Sequence, residues 1–186
     1  AEAFDYYREG VCAAFMPLRP ELRRAARNGF RSVVRSHAMP EGALNLVSAR
    51  AHDVLRTRAE IAGSPEPCWY VNLQMDGICG ITQADRTVAL YPGQVGLFDS
   101  DDVFTLDHSR RAGLRVASLL VPKRLLPLRF APGAHRLSDH PDYGALIAEA
   151  ACSLIRAAET GRPRDGLHQL FLSLIALAGS GGPCDE

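Results

Sequence analysis

The stretch Gly77-Ile-Cys-Gly-Ile-Thr-Gln-Ala-Asp-Arg-Thr-Val-Ala-Leu-Tyr-Pro-Gly-Gln-Val-Gly-Leu-Phe-Asp-Ser-Asp-Asp-Val-Phe104 decides the fold. It breaks into short runs of strand-forming residues, Ile78 to Gln83, Thr87 to Leu90 and Gln94 to Phe98, separated by Asp85-Arg86 and Pro92-Gly93. Proline presets φ and glycine accepts the positive φ that follows, so Pro92-Gly93 reads as a tight turn. The pattern extends outward in both directions. Phe30 to Met39, Ala43 to Arg50, Val54 to Arg58 and Cys68 to Met75 precede the stretch, and Val103 to Leu106 and Leu114 to Val121 close it. So many short strands between Gly, Pro, Asp and Asn predict an antiparallel barrel or sandwich.

At both ends the period changes from two to 3.6. Phe4, Tyr7, Val11 and Phe15 predict an amphipathic opening helix that ends near Pro17, and a second helical piece is expected from Pro20 to Asn28-Gly29. Towards the other end, Tyr143, Leu146, Ile147, Ala150, Leu154, Ile155 and Ala158 form one stripe behind a Ser138 or Asp139 cap, stopped by Gly161 and Pro163. Asp165 then caps a helix with the stripe Leu167, Leu170, Phe171, Leu174, Ile175 and Ala178. The short loop makes these an antiparallel hairpin. Its apolar surface exceeds what one hairpin buries, so a homodimer is expected through Leu154, Leu167, Leu170, Phe171 and Leu174. The chain thus divides into a helical segment (1–29), a barrel (30–127), a hairpin (138–178) and a flexible tail or linker (179–186).

With 186 residues, 47% of them hydrophobic, the chain suffices for one barrel with a few helices. Lys plus Arg equals Asp plus Glu at 21 each, so no global field draws it to nucleic acid or an anionic membrane. Five cysteines without Cys-x-x-Cys spacing argue against a zinc site or a disulfide framework. With no apolar run of about 20 residues and no basic signal region at the start, the expected location is the cytoplasm.

The order of local motifs resembles a known family. Phe4-x-x-x-Arg8-Glu9, Ala14-Phe15-x-Pro17-Leu18, Val54-x-Arg56-Thr57, Asn72-Leu73-Gln74-x-x-Gly77, Gln83-x-Asp85-Arg86, Leu90-x-Pro92-Gly93, Phe98-Asp99-Ser100 and Val121-Pro122 are similar to the AraC-binding-like, cupin-type sensor domain at the amino end of AraC-family transcriptional regulators. The resemblance implies a mainly β fold with α elements: a cupin-like antiparallel β-barrel with an N-terminal helix and a C-terminal helical hairpin. It also implies a barrel that senses a small molecule, and DNA binding through a C-terminal helix-turn-helix domain that is not in this chain. Metal-binding cupins present His-x-His and Glu, then a later His. Here the candidates before Gly77 are His52 and Glu60, with no His-x-His, and Asp101, Asp102, Val103 and Phe104 occupy the later region. No metal, no cofactor and no enzymatic activity are therefore expected, the alternative being a free-standing cupin enzyme.

Two ligand sites are legible. Along Trp69 to Met75, odd and even residues fall on opposite faces, so Asn72 and Gln74, with His37 or His52 on neighbouring strands, would give an apolar interior pocket its orienting hydrogen bonds. Trp69 would be a pocket wall or a core plug. The second site is the series Arg19, Arg23, Arg27, Arg31 and Arg35, whose first three members share a face if the segment is helical. An Arg-x-x-x-Arg pair before a barrel is similar to the cyclic-di-GMP signature of PilZ domains. The accompanying PilZ motif Asp/Asn-x-Ser-x-x-Gly is matched only loosely by Asp107-His-Ser109 with Gly113, one residue too long.

Overall fold

The computed structural model describes residues 2–22, 29–40, 42–64, 66–108, 113–162 and 164–180. Helix α1 (Glu2–Ala14) opens the chain, followed by β1 (Arg19–Glu21), β2 (Ser32–Met39), β3 (Gly42–Arg50), β4 (Asp53–Arg56) and the short α2 (Arg58–Ala62). Six strands come next: β5 (Cys68–Asp76), β6 (Cys79–Gln83), β7 (Arg86–Leu90), β8 (Val95–Asp99), β9 (Phe104–Asp107) and β10 (Gly113–Pro122). After β11 (His135–Arg136), α3 (Gly144–Glu159) and α4 (Asp165–Ser180) form the hairpin. No helix among the described residues is long and apolar enough to cross a membrane.

The strands form two antiparallel sheets, β1-β4-β9-β6-β7 and β11-β8-β5-β10-β3-β2. Strand alternation sends the two faces of the larger sheet to different cores. Val47, Tyr70, Phe98, Leu114 and Val116 face the smaller sheet and meet Ile81, Leu90, Phe104 and Leu106, with Phe4, Tyr7 and Val11 of α1 closing one end. Leu44, Leu46, Val71, Leu73, Ala117 and Leu119 point outward and are covered by Ile147, Leu154, Ile155, Phe171 and Ile175 of the hairpin. The result is the expected cupin-like antiparallel barrel between an N-terminal helix and a C-terminal hairpin.

Local expectations fail in three places. Pro20 lies in β1, paired with Val54, and not in a helix. Proline is tolerated there because β1 is an edge strand with a partner on one side only. Glu21 shares that strand, Leu22 and Gly29 are not helical, and residues 23–28 lie outside the described residues. Helix α2 was not foreseen, although Thr57-Arg-Ala-Glu60 is a capping box: Thr57 Oγ1 accepts from Ala59 N, and the Thr57 backbone N–H donates to Glu60 Oε2 at 2.9 Å. Neither Ser138 nor Asp139 caps α3. Both sit in a separate 3-10 turn, where Ser138 Oγ accepts from Val95 N and Asp139 pairs with Arg136, while Tyr143 precedes the helix without a side-chain cap.

Gly93 has φ +88°, as its turn requires, and Gly77, between β5 and β6, has φ +78°. A Cβ on Gly77 would lie 2.5 Å from the Gly113 carbonyl oxygen. Gly77→Ala is therefore expected to lower stability by about 1–3 kcal/mol, seen as a reduced urea midpoint at unchanged slope.

Candidate functional site

Between α1 and the two sheets lies an interior cavity of about 40 Å³. Tyr7 and Val11 of α1, with Phe15 and Leu18 just beyond it, form the roof. Val47, Tyr70, Asn72, Val116 and Ser118 of the larger sheet, and Val54, Phe104 and Leu106 of the smaller one, form the walls with His52, His108 and Leu114. At 10–15 Å³ per water, this is room for about three water molecules. Phe15 also lines an open groove of about 720 Å³, so this residue borders both spaces.

Sheet register aligns a row of polar residues beside the cavity. Ser36 stands opposite Asn45, Asn45 opposite Ser118, and Ser118 opposite Asn72, across β2, β3, β10 and β5. One half of the row is fully used: Ser36 Oγ donates to Asn45 Oδ1 at 2.5 Å, and Asn45 Nδ2 donates to the Ala14 carbonyl at the end of α1 at 2.8 Å. The other half is open. Ser118 Oγ and Asn72 Oδ1 are buried without a hydrogen-bond partner among the described residues, as are Tyr70 Oη and His108 Nδ1 in the same cavity. Four such groups converging on one apolar space are unusual, because a buried polar atom without a partner costs about 1–3 kcal/mol.

Tyr7 and His52 are satisfied, and the titratable groups of the cavity are neutral. His52 Nδ1 lies 2.8 Å from the Arg50 carbonyl, which can only accept, so the proton is on Nδ1. Nε2 then accepts from the Tyr7 hydroxyl at 2.9 Å, fastening α1 to the barrel. Burial lowers the His52 pKa, opposed by that carbonyl. Burial, with His52 alongside, pushes His108 down to about 3. Tyr7 and Tyr70 are raised by burial, so both remain phenols. No Asp, Glu, Lys or Arg lines the cavity among the described residues.

Of the residues expected at an interior pocket, Asn72 and His52 line the cavity. Gln74 faces the same way but lies past its end, fully buried, with Nε2 donating to the Asp76 carbonyl at 2.6 Å. His37 is opposite Leu44, on the helix-bearing face. Trp69 is also on that face, where its Nε1 donates to the Leu126 carbonyl at 2.8 Å and Lys123 Nζ lies 5.0 Å from its ring centre. Arg19 is an exposed strand residue paired with Glu21, Arg35 belongs to β2, and Arg23 and Arg27 lie outside the described residues. In the hairpin, Leu154 and Phe171 are 1% and 3% exposed and belong to the chain's own core, whereas Leu167 and Leu174 are half-buried and Leu170 is exposed. Ser118, Asn45 and His108 were not foreseen. Their signal is a lone polar residue in an apolar strand run, as in Val-Ala-Ser118-Leu-Leu and Ala-Leu-Asn45-Leu-Val. Among the described residues no cluster of three or more His, Cys, Asp or Glu side chains is placed to hold a metal.

A family profile described as the AraC-binding-like domain matches residues 7–178. The chain belongs to the AraC-binding-like domain family. The crystal structure of the AraC-like transcriptional activator CuxR superposes with a TM-score of 0.67 at 15% identity, over 98% of this chain and 68% of that one, which shows a shared fold. An uncharacterized protein from the nit 5'-region of Bacillus sp. (strain OxB-1) is 28% identical over 105 residues, 56% of this chain and 40% of that protein, so the chain spans well under half of that relative. The Schizosaccharomyces pombe Cnp3 cupin domain aligns with a TM-score of 0.41 at 10% identity, over 56% of this chain and 75% of that domain. In this AraC-binding-like domain, four buried polar atoms without partners among the described residues gather in the cavity beneath α1.

Proposed function

We propose that this AraC-binding-like domain is the effector-sensing and dimerisation part of an AraC-type transcriptional regulator, acting on DNA through a helix-turn-helix domain outside these residues. The carrying observation is the set of four buried, unpartnered polar atoms in an otherwise apolar cavity roofed by α1. An effector that bonds to them takes the place of the few waters the cavity has room for. Since the cavity holds only about three waters, a larger molecule must displace α1 or Phe15. Binding thereby shifts the population of α1 positions, which is the output a regulator needs. Family membership and the fold shared with an AraC-like activator support the sensor reading over a cupin enzyme. The buried thiols support it too, since Cys68 and Cys79, pushed up to about 11 and about 12 chiefly by burial, offer no thiolate nucleophile.

A small-molecule screen by thermal shift tests this reading. A saturating effector at about 100 times its Kd adds about 2.7 kcal/mol, which for a chain of this size raises the Tm by roughly 5–10 °C. Asn72→Leu with Ser118→Ala is expected to abolish that shift while keeping the fold; a shift that survives both changes places the effector elsewhere. Cyclic-di-GMP, expected at the arginine segment, is too large and too charged for the cavity. Its titration against wild type and against Arg23→Ala with Arg27→Ala separates the two sites.

For assembly, Leu167, Leu170, Leu174 and Leu177 of α4 follow alternating spacings of three and four, the seam of an antiparallel or parallel helix pair. Leu170 is 50% and Leu177 49% exposed. A second copy covering this stripe gives the homodimer. Leu170→Asp with Leu177→Asp is expected to convert it to a monomer by light scattering at unchanged Tm of the barrel, because both side chains lie outside the chain's own core.

A further inference from the structure

We infer that the cavity selects an uncharged effector bearing a carboxamide- or hydroxyl-type group on a small apolar body, its polar group held between Asn72 and Ser118. This rests on reading the cavity as the effector site. Asn72 and Ser118 are direct partners across β5 and β10. Residues so placed have Cβ atoms about 4.5–5.5 Å apart, close enough for one ligand group to touch both. Both are buried, at 4% and 2% exposure, and Asn72 Oδ1 and Ser118 Oγ lack partners among the described residues. The neighbouring pair in the same row, Ser36 and Asn45, bonds to each other and to the end of α1. Sheet geometry therefore does not prevent such residues from pairing, and the open half is left for a group from outside.

Charge decides the class. Burying an ionised group costs several kcal/mol unless an opposite charge faces it, and no ionised side chain lines the cavity among the described residues. His52 and His108 are held neutral, and His52 is already committed to Tyr7 and the Arg50 carbonyl. The buried Arg56 acts electrostatically on Tyr70, but its Nε, Nη1 and Nη2 are spent on the Ser100 carbonyl, the Pro17 carbonyl and Ser64 Oγ. Carboxylates, phosphates and ammonium groups are thus excluded, whereas a carboxamide presents one donor edge and one acceptor edge to an amide and a hydroxyl. The aromatic walls, Tyr70 and Phe104 with Phe15 above, suit a flat apolar body.

Three probes of one shape and different charge test this: benzamide, benzoate and benzamidinium, titrated into the ¹⁵N-labelled chain and followed by amide shifts. Benzamide at low millimolar concentration is expected to move Tyr70, Asn72 and Ser118, and to bind at least about tenfold more tightly than either charged isostere. Ser118→Ala, which changes one small buried group, is expected to weaken benzamide by about tenfold. Benzoate or benzamidinium moving the same residues as strongly overturns the uncharged class and leaves the cavity as effector site. If none of the three moves them, both the class and the site fall.

Discussion

Lowering the pH from about 7 to about 4.5 is expected to remove about 2–3 kcal/mol of folding stability through His108 alone, since a pH unit is worth 1.36 kcal/mol per proton. The sign follows from where the protons bind. Unfolded, His108 takes up a proton as the pH falls through about 6.5, whereas burial keeps its folded pKa at about 3. Between those values the unfolded chain binds a proton that the folded chain refuses, so stability declines with acid. His52, also lowered by burial, adds in the same direction. Urea unfolding at several pH values measures the slope, and His108→Leu is expected to flatten it. A wild-type stability that stays level from pH 7 to 4.5 would mean that the cavity accepts a charged imidazole. The neutrality that excludes charged effectors would then be lost as well, so this measurement bears on function as directly as on stability.

The barrel was legible because short runs of strand-forming residues alternate with Gly, Pro and Asp turns. The run Cys68 to Met75 emerged as Cys68–Asp76 and Leu114 to Val121 as Gly113–Pro122, each packed on both faces, by the smaller sheet on one side and the hairpin on the other. Parity along β5 was also readable: Trp69, Val71 and Leu73 do share a face, opposite Tyr70 and Asn72. Which of those faces met the cavity was not readable. It depends on the hairpin covering the Trp69 side, a contact between residues far apart in sequence. The same limit separates His37 from His52, and it hid Ser118. A serine in one strand and asparagines in two others become a row only when register aligns them. The helical expectation from Pro20 failed for a related reason. Proline at a helix start is a local preference, and pairing of β1 with β4 is a long-range one that overrode it.

Arg56→Lys is expected to cost about 3–5 kcal/mol, the largest loss from any single conservative change in the barrel. Arg56 is 1% exposed, and its three nitrogens donate to the Ser100 carbonyl at 2.7 Å, the Pro17 carbonyl at 2.7 Å and Ser64 Oγ at 2.6 Å. A lysine keeps the charge but has one nitrogen on an unbranched stem, which cannot span three acceptors fixed by a planar fork. At least two are left without their donor in a buried site, at about 1–3 kcal/mol each. The consequence reaches the effector site through Pro17, which follows α1 and is tied by this guanidinium to β4 and to the turn after β8. With the tie broken, the roof of the cavity is anchored mainly by the Tyr7–His52 bond and the Asn45–Ala14 bond. Hydrogen exchange in α1 should therefore quicken in Arg56→Lys more than urea stability alone accounts for, while exchange in α3 and α4 should follow global unfolding. A stability loss under about 1 kcal/mol, with α1 exchange unchanged, would show that the guanidinium is not what holds the roof in place.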